Sequence, residues 1–238
     1  MGASRGIGRG IAEALGREGA RVAIASRSLE AVQRAASEIP GEGVGFEADT
    51  SDLDRMAQLP GEVEAALGPV EILVTNTGGP PLGGALDNPR EEWKQAYRSL
   101  VLAPRVLIEQ VLPGMRQRGW GRIVNVGSSS VREPIPYLTL SNAHRMAAVG
   151  FFKTLAGEVA RDGITVNTVA TGRFATDRLA SNWGSWDEME RNASEGVPAG
   201  RLGKPEEYGD LVAFLCSERS AYLTGAVIPL DGGLARSV

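Results

Sequence analysis

Residues 2–8 read Gly-Ala-Ser-Arg-Gly-Ile-Gly, and a stretch with helical spacing follows them directly. Glycines at positions 2, 6 and 8 let a backbone approach a pyrophosphate closely, and the N-terminus of the next helix offers free N–H groups and a positive dipole. The usual context of such a dinucleotide-binding loop is a strand before it and a helix after it. Here only Met1 precedes the loop. The loop alone therefore leaves a dinucleotide site and a simple glycine-rich turn both open.

Short apolar runs alternate with helical patterns along the rest of the chain. The predicted strands are residues 21–26, 43–48, 70–75, 121–126, 164–169 and 226–230, and the predicted helices are residues 8–18, 29–38, 53–67, 91–118, 141–162 and 205–216. Strands separated by helices indicate βαβ units, and continuous apolar strands indicate a sheet covered on both faces. The pattern predicts an α/β fold of the Rossmann type: a doubly wound parallel sheet in three α/β/α layers.

Length and composition bound the function. The 238 residues are expected to form one domain, with the irregular insertion 174–201 as a lid over a site. A net charge of -4 argues against a nucleic-acid partner, and the chain contains no apolar run long enough to span a membrane. A single cysteine, Cys216, and a single histidine, His144, argue against a disulfide and a metal site. We expect a cytoplasmic protein with a small-molecule substrate.

The residues after the first predicted strand indicate which dinucleotide would bind. About 20 residues beyond the loop, NAD-binding proteins place an acid on the ribose, but the segment 26–28 is Ser-Arg-Ser. Arg27, together with Arg5 of the loop, could instead pair with a 2′-phosphate. We therefore expect NADP(H) to be preferred over NAD(H), the alternative being that Arg27 is a solvated surface side chain.

Several motifs together resemble the short-chain dehydrogenase/reductase family over essentially the whole chain. They are the glycine loop 2–8, Asp49, the segment Thr-Asn-Thr-Gly at 75–78, Ser128, and the segments Arg-Leu-Gly-Lys-Pro-Glu-Glu at 201–207, Leu-Thr-Gly at 223–225 and Asp-Gly-Gly at 231–233. The resemblance is closest to 3-oxoacyl-acyl-carrier-protein reductase-like members. It implies a nicotinamide-dependent oxidoreductase that assembles as a homotetramer or homodimer.

The resemblance also implies the cofactor-binding residues. They are Gly2, Ser4, Arg5, Gly6, Ile7, Gly8, Arg27, Asp49, Asn76, Thr77, Gly78, Arg145, Thr171, Gly172 and Thr176. In the family, Asp49 contacts the adenine amino group, Asn76 to Gly78 line the adenosine side, and Thr171 to Thr176 meet the nicotinamide half. The family's Pro-Gly after the sixth strand is Thr171-Gly172 here, so a proline that stiffens the turn is missing.

The family's catalytic set is an asparagine, a serine, a tyrosine and a lysine, the last two spaced Tyr-x-x-x-Lys. An ungapped register places these types on Leu100, Ser128, Ser141 and Arg145. One of the four types is therefore present. A serine hydroxyl is a weak acid near neutral pH, and an arginine does not exchange protons usefully. A second register uses Tyr137 as the tyrosine, but it then needs a gap of four in the next helix.

Two neighbouring side chains could replace the missing acid. Tyr137 would extend the helix face of Ser141 and Arg145 if the helix begins at Pro136. His144 titrates near neutral pH when unperturbed. For both, a packing role is the competing expectation: a wall of the substrate pocket for Tyr137 and a helix interface for His144. Ser128 could orient a substrate carbonyl whether Tyr137 or His144 supplies the proton.

Three functions stay open from the sequence. The first is an NADP(H)-dependent reductase of a carbonyl compound, such as a 3-oxoacyl thioester, with a rebuilt acid. The second is a catalytically impaired nucleotide-binding protein of the same fold, and the third is a non-redox lyase or isomerase. Family members carry a central strand before the glycine loop, so we also expect about ten apolar residues before Met1, or a neighbouring segment, to complete the sheet.

Overall fold

Six strands alternate with nine α-helices in residues 1–183 and 185–237, which the computed structural model describes. The strands are β1 (Val22–Ser26), β2 (Gly43–Glu47), β3 (Ile72–Thr75), β4 (Gly121–Val126), β5 (Ile164–Thr171) and β6 (Val227–Leu230). The helices are α1 (Gly6–Arg17), α2 (Leu29–Ser37), α3 (Leu53–Leu67), α4 (Arg90–Tyr97), α5 (Ala103–Arg118), α6 (Thr139–Val159), α7 (Asp177–Trp183), α8 (Trp186–Asn192) and α9 (Pro205–Cys216).

Local signals fix most helix boundaries. Ser28 caps α2 by accepting from the Ala31 N–H, and Asp52 caps α3 by accepting from the Arg55 N–H, so both helices begin where predicted. The long helix predicted over 91–118 is instead α4 and α5 joined by one π-helical turn, Arg98–Leu102. The insertion 174–201, expected to be irregular, contains the short helices α7 and α8.

The helices cover the strands on two sides, which confirms the three-layer Rossmann-type prediction. On one side, α1, α2 and α9 pack on the strands through apolar side chains such as Leu15, Val32 and Val212. On the other, α3, α5 and α6 pack through side chains such as Met56 and Phe152. Burial of these side chains is the main favourable contribution to folding. In the described part of the chain, no helix is long and apolar enough to cross a membrane.

The strands form two sheets rather than one. Every hydrogen-bonded pair is parallel, with the order β2-β1 in one sheet and β3-β4-β5-β6 in the other. No strand pairing joins β1 to β3 within residues 1–183 and 185–237. Between them lies an apolar slot of about 320 Å³, whose walls are formed by β1, β3 and side chains including Ile11, Leu15, Leu59, Val63, Leu107 and Val111. A strand placed in this slot would face an edge of each sheet, because β1 and β3 line it from opposite sheets.

A strand supplied to this slot is expected to stabilise the fold strongly. One backbone hydrogen bond to the edge of β1 is already present: the Ala3 N–H donates to the Ala25 carbonyl at 3.2 Å. Backbone hydrogen bonds and apolar burial along five further residues should add several kcal/mol to the free energy of unfolding. In a chain of this size, that raises Tm by on the order of 10 °C. Calorimetry of the chain fused at Met1 to a five-residue Val/Leu strand measures the shift. A fusion with proline at the central position is the control, and equal Tm values for the two fusions would contradict this account of the slot.

Candidate active site

The glycine loop is packed too tightly for any larger residue at position 8. A Cβ atom on Gly8 would lie 2.3 Å from the Gly2 carbonyl oxygen and 2.7 Å from Asn76 Nδ2. Asn76 Nδ2 in turn donates to that same carbonyl at 3.1 Å, which ties the loop to the end of β3. Gly2 and Gly6 have positive φ angles of 58° and 57°. The loop therefore presents bare backbone at the start of α1, and this cradle fits a pyrophosphate-bearing cofactor.

The predicted adenosine-side residues follow the carboxyl ends of neighbouring strands. Arg27 is exposed just after β1, and Thr77 and Gly78 follow Asn76 after β3. Asp49 follows β2, and its Oδ1 accepts from the Ser51 N–H and the Ser51 hydroxyl, both at 2.9 Å. These residues share one edge of the sheets, which is where open α/β folds bind ligands.

Arg5 of the loop pairs with Asp177 of the insertion 174–201, the predicted lid, and does not stand unpaired beside Arg27. Its Nη1 lies 3.4 Å from Asp177 Oδ2 in an exposed ion pair. Thr176 also meets the loop, because its methyl carbon would lie 3.3 Å from a Cβ on Gly6. The start of the lid therefore touches the glycine loop. Ser4 and Ile7 complete the loop and are both half-buried.

The turn after β5 is tight even without the family's proline. A Cβ on Gly172 would lie 2.5 Å from the Asp231 Cα, so the chain after β6 prevents a larger residue there. Thr171 Oγ1 and Tyr208 Oη lie 2.9 Å apart. Tyr208 is fully buried on α9, and burial raises the pKa of its phenol. Tyr208 directly follows the motif at 201–207, but that motif gives no indication that its phenol reaches Thr171.

Ser128 and Arg145 are brought together at the carboxyl end of β4. Ser128 is half-buried, and its Oγ accepts from the Ser130 N–H at 3.1 Å, which leaves its O–H available as a donor. Arg145 reaches from α6, and its Nη1 donates to the carbonyls of Val126 at 2.8 Å and Gly127 at 3.3 Å. Burial lowers the pKa of Arg145 to about 10, so the group is a cation at neutral pH.

The other two positions of the predicted catalytic set, Leu100 and Ser141, are apolar and buried respectively. Leu100 lies in the π-helical turn and packs with Leu140 in a small apolar cluster. Ser141 is buried, with 6% of its surface exposed, one turn before Arg145 on α6. Neither residue supplies a phenol or a carboxamide.

Tyr137 does not extend the face of α6, because this helix begins at Thr139 and not at Pro136. The side chain of Tyr137 is 72% exposed rather than half-buried, and its φ of 59° is in the left-handed region, which a bulky residue rarely adopts. Its carbonyl accepts from the Gly83 N–H at 2.8 Å, which fixes the loop. A strained, exposed aromatic residue held by backbone bonds fits a substrate contact better than a core position.

His144 lies in the interface between α4 and α6, which is the packing role that the sequence offered as the alternative to catalysis. It is buried, with Nδ1 2.8 Å from the Leu140 carbonyl oxygen. Its ring lies 5.3 Å from the Trp93 ring and 6.2 Å from the Tyr97 ring between α4 and α6. Among the described residues, no group of three or more His, Cys, Asp or Glu side chains could hold a metal ion.

The predicted lid contacts the loop after β3. Arg178 of α7 donates from Nη2 to the Pro80 carbonyl at 3.1 Å, and sequence motifs gave no signal for it. Phe174 and Met189 of the lid are buried, whereas Trp186 is half exposed. The side chain of Trp183 lies outside the described residues.

Comparison with known proteins decides the family. A family model described as "Enoyl-(Acyl carrier protein) reductase" matches residues 2–235. Nodulation protein G of Azospirillum brasilense is 33% identical over 98% of this chain and 95% of its own. The chain belongs to the short-chain dehydrogenase/reductase family. Its relative 3-oxoacyl-acyl-carrier-protein reductase FabG of Haemophilus influenzae is 34% identical over the same shares of the two chains.

A solved family structure agrees in fold. The L-sorbose reductase of Gluconobacter frateurii, described in complex with NADPH and L-sorbose, superposes with a TM-score of 0.94 at 29% identity. The match covers 100% of this chain and 95% of that one. Membership of the short-chain dehydrogenase/reductase family is thereby shown, and the family's activity is that of an oxidoreductase.

Proposed function

We propose that this short-chain dehydrogenase/reductase is an NADP(H)-dependent carbonyl reductase that works without the family's tyrosine and lysine. One observation carries the proposal: the Arg145 guanidinium is held by the Val126 and Gly127 carbonyls, directly before Ser128, at the carboxyl end of β4. The glycine loop shaped for a dinucleotide contacts Asn76 at the carboxyl end of the neighbouring strand β3. Arg27 supports NADP(H) over NAD(H), because no acid follows β1. The 3-oxoacyl thioester is the substrate class that the likeness to FabG supports.

The chain's own residues would act on the carbonyl oxygen. When bound, a nicotinamide cofactor supplies the hydride. Ser128 would donate a hydrogen bond to the carbonyl and hold its orientation. Arg145 would place a positive charge where the alkoxide develops, and a charge in a desolvated setting is worth more there than in water. The proton would come from Tyr137 or from water, since Arg145 retains its own proton at neutral pH.

The cofactor would rest on residues from five elements. Gly2 to Gly8 would hold the pyrophosphate, Asn76 to Gly78 and Asp49 the adenosine, and Thr171 to Thr176 the nicotinamide half. Arg145 would also reach the ribose hydroxyls. The contacts Arg5–Asp177 and Arg178–Pro80 support a lid role for residues 174–201, because both join the lid to walls of this cleft.

A nucleotide-binding protein without catalysis is the second candidate. The buried Ser141 and the apolar Leu100 favour it, because both replace groups on which the family's chemistry depends. A fluorescence titration with NADPH, followed by a turnover screen on 3-oxoacyl thioesters, ketones and alcohols, separates the two. Turnover with any of these substrates supports the reductase, whereas tight NADPH binding with no NADPH oxidation across the panel would support the binding protein. Tighter binding of NADH than of NADPH would refute the role of Arg27.

Replacing Tyr137 by phenylalanine tests the proton source. If the phenol is the donor, Tyr137→Phe should lower kcat by about 10²-fold, the usual worth of a positioned acid, with little change in KM. The ring's packing and the backbone bond to Gly83 are kept, so the folded state should be unaffected. Tyr222→Phe, at a fully exposed position, is the matched control. A kcat equal to that of the control would assign the proton to water.

Two further expectations belong to the proposal. We expect a homotetramer or homodimer, which is supported by the exposed apolar side chains of Tyr97 and Met146 on α4 and α6. We also expect the protein to act in the cytoplasm, where the buried free thiol of Cys216 would stay reduced.

A further inference from the structure

The turn that follows β5 is held by a tyrosine from a distant helix. Thr171 Oγ1 lies 2.9 Å from the phenol oxygen of Tyr208, and neither oxygen makes another hydrogen bond within the described residues. Tyr208 is fully buried near the start of α9, and Thr171 is half-buried at the end of β5. A threonine lacks the ring by which the family's proline fixes φ at this turn. The hydrogen bond to Tyr208 therefore restrains the turn where the covalent restraint is missing.

The part of α9 that carries Tyr208 is itself a fixed support. The carboxylate of Glu207, the preceding residue, accepts from both terminal nitrogens of Arg201, at 2.8 and 2.6 Å. A Cβ on Gly209, the following residue, would lie 2.3 Å from the Gly10 carbonyl oxygen. The backbone of α9 thus lies directly against α1, the helix that follows the glycine loop. Tyr208 therefore joins the turn after β5 to the helix whose N-terminus would bind the pyrophosphate.

The ring of Tyr208 also supports the start of the predicted lid. Its centroid lies 5.2 Å from that of the Phe174 ring, and the two rings meet edge to face at 71°. Phe174 is buried, and a Cβ on Gly203 would lie 2.6 Å from its ring. The Ala175 N–H donates to the Gly203 carbonyl at 2.9 Å. One buried side chain therefore contacts both ends of the segment 171–174.

The phenol of Tyr208 is not suited to supply a proton. Burial raises its pKa, and the hydrogen bond with Thr171 lowers it by less. The phenol is therefore neutral at neutral pH and keeps its hydrogen for the contact with Thr171. Such a group acts by holding its neighbour and not by titration.

We infer that Tyr208 is a positioning residue of the cofactor site, which holds the segment 171–176 in the conformation that receives the nicotinamide half. This inference rests on the proposed function, in which that segment meets the nicotinamide half of NADP(H). The adenosine half would rest on the glycine loop and on the loop after β3, which the phenol does not contact. Loss of the phenol oxygen should therefore weaken binding of the nicotinamide half alone.

Two ligands separate the halves of the cofactor. NADPH carries both halves, whereas 2′-phospho-ADP-ribose lacks the nicotinamide. Tyr208→Phe keeps the ring beside Phe174 and should raise the Kd of NADPH about 5-fold, the usual contribution of one hydrogen bond, without changing the Kd of 2′-phospho-ADP-ribose. Titration calorimetry measures both values. An unchanged Kd of NADPH, or equal weakening of the two ligands, would overturn the inference.

A second residue of α9 provides the packing control. Val212→Ala, one turn later and also fully buried, removes apolar contacts but no hydrogen bond. It should lower Tm, as large-to-small core substitutions do, and leave the ratio of the two Kd values unchanged. A change in this ratio equal to that in Tyr208→Phe would give Tyr208 a packing role only and contradict the inference.

Thr171→Val breaks the same hydrogen bond from its other end and should change the ratio in the same sense. In the Thr171→Val background, Tyr208→Phe should have no further effect on the Kd of NADPH, because the two residues act through one contact. Additive effects would show that Tyr208 does not act through Thr171, which would overturn the inference. Failure of the reductase proposal shows separately, as absent NADPH oxidation by the wild type, and does not alter the comparison of Kd values.

Discussion

Arg145→Met should lower kcat/KM for NADPH-dependent carbonyl reduction by about 10²- to 10³-fold, the usual cost of removing one group that stabilises a developing oxyanion. Methionine fills a similar volume and keeps the apolar stem of the side chain. It removes the charge beside Ser128 and the hydrogen bonds to Val126 and Gly127. Steady-state kinetics with the best carbonyl substrate of the turnover screen measures the loss.

Stability should change little in this variant, because removing a desolvated cation offsets the lost hydrogen bonds. Arg145→Lys is the informative companion: it keeps the charge but loses the fork, so its activity should fall between those of the wild type and Arg145→Met. A kcat/KM for Arg145→Met within about 3-fold of wild type, less than 1 kcal/mol of transition-state stabilisation, would remove Arg145 from the reaction.

Gly8→Ala should weaken NADPH binding by about 30-fold, which corresponds to roughly 2 kcal/mol of lost affinity. The new Cβ would meet the Gly2 carbonyl oxygen at 2.3 Å and Asn76 Nδ2 at 2.7 Å, distances at which backbone and side chain must move. The bond from Asn76 to Gly2 would break, and the loop would lose the shape that presents its N–H groups. Fluorescence titration with NADPH measures the change.

Gly61→Ala on α3 is the matched control, because a Cβ there meets nothing within 4 Å. It should leave the Kd of NADPH unchanged and stabilise the helix slightly. An NADPH affinity in Gly8→Ala equal to that of this control would show that the loop does not bind the cofactor.

Local rules were enough to predict most of the secondary structure. The helices α3 and α9 have the predicted bounds because caps, a proline at the first turn and periodic apolar residues all act within one element. The start of α6 was predicted less well, since it depends on Gly83, more than fifty residues earlier, pairing with the loop at Tyr137. Sequence periodicity carries no information about such a distant contact.

The sequence predicts only those candidate site residues that lie in a motif or in register with one. The structure places Arg145 against the Gly127 carbonyl, directly before Ser128, and the catalytic roles that the register assigns to these two residues stay a prediction. Arg178 lies outside every motif, and Tyr208 follows a motif that does not include it. Their contacts with Pro80 and Thr171 depend on how the predicted lid and α9 pack, which the sequence pattern does not show. The pairing of Arg5 with Asp177 depends in the same way on how the lid rests on the loop.

Transfer of deuterium from NADPH that carries deuterium at both positions of its reactive carbon tests the central claim most directly. The wild-type chain, with labelled NADPH and a carbonyl compound from the panel, should yield an alcohol carrying one deuterium on the former carbonyl carbon, measured by mass spectrometry. The same incubation with Arg145→Met should yield far less of it. An alcohol without deuterium, or no alcohol from any carbonyl compound despite tight NADPH binding, would contradict the assignment of this protein as a reductase.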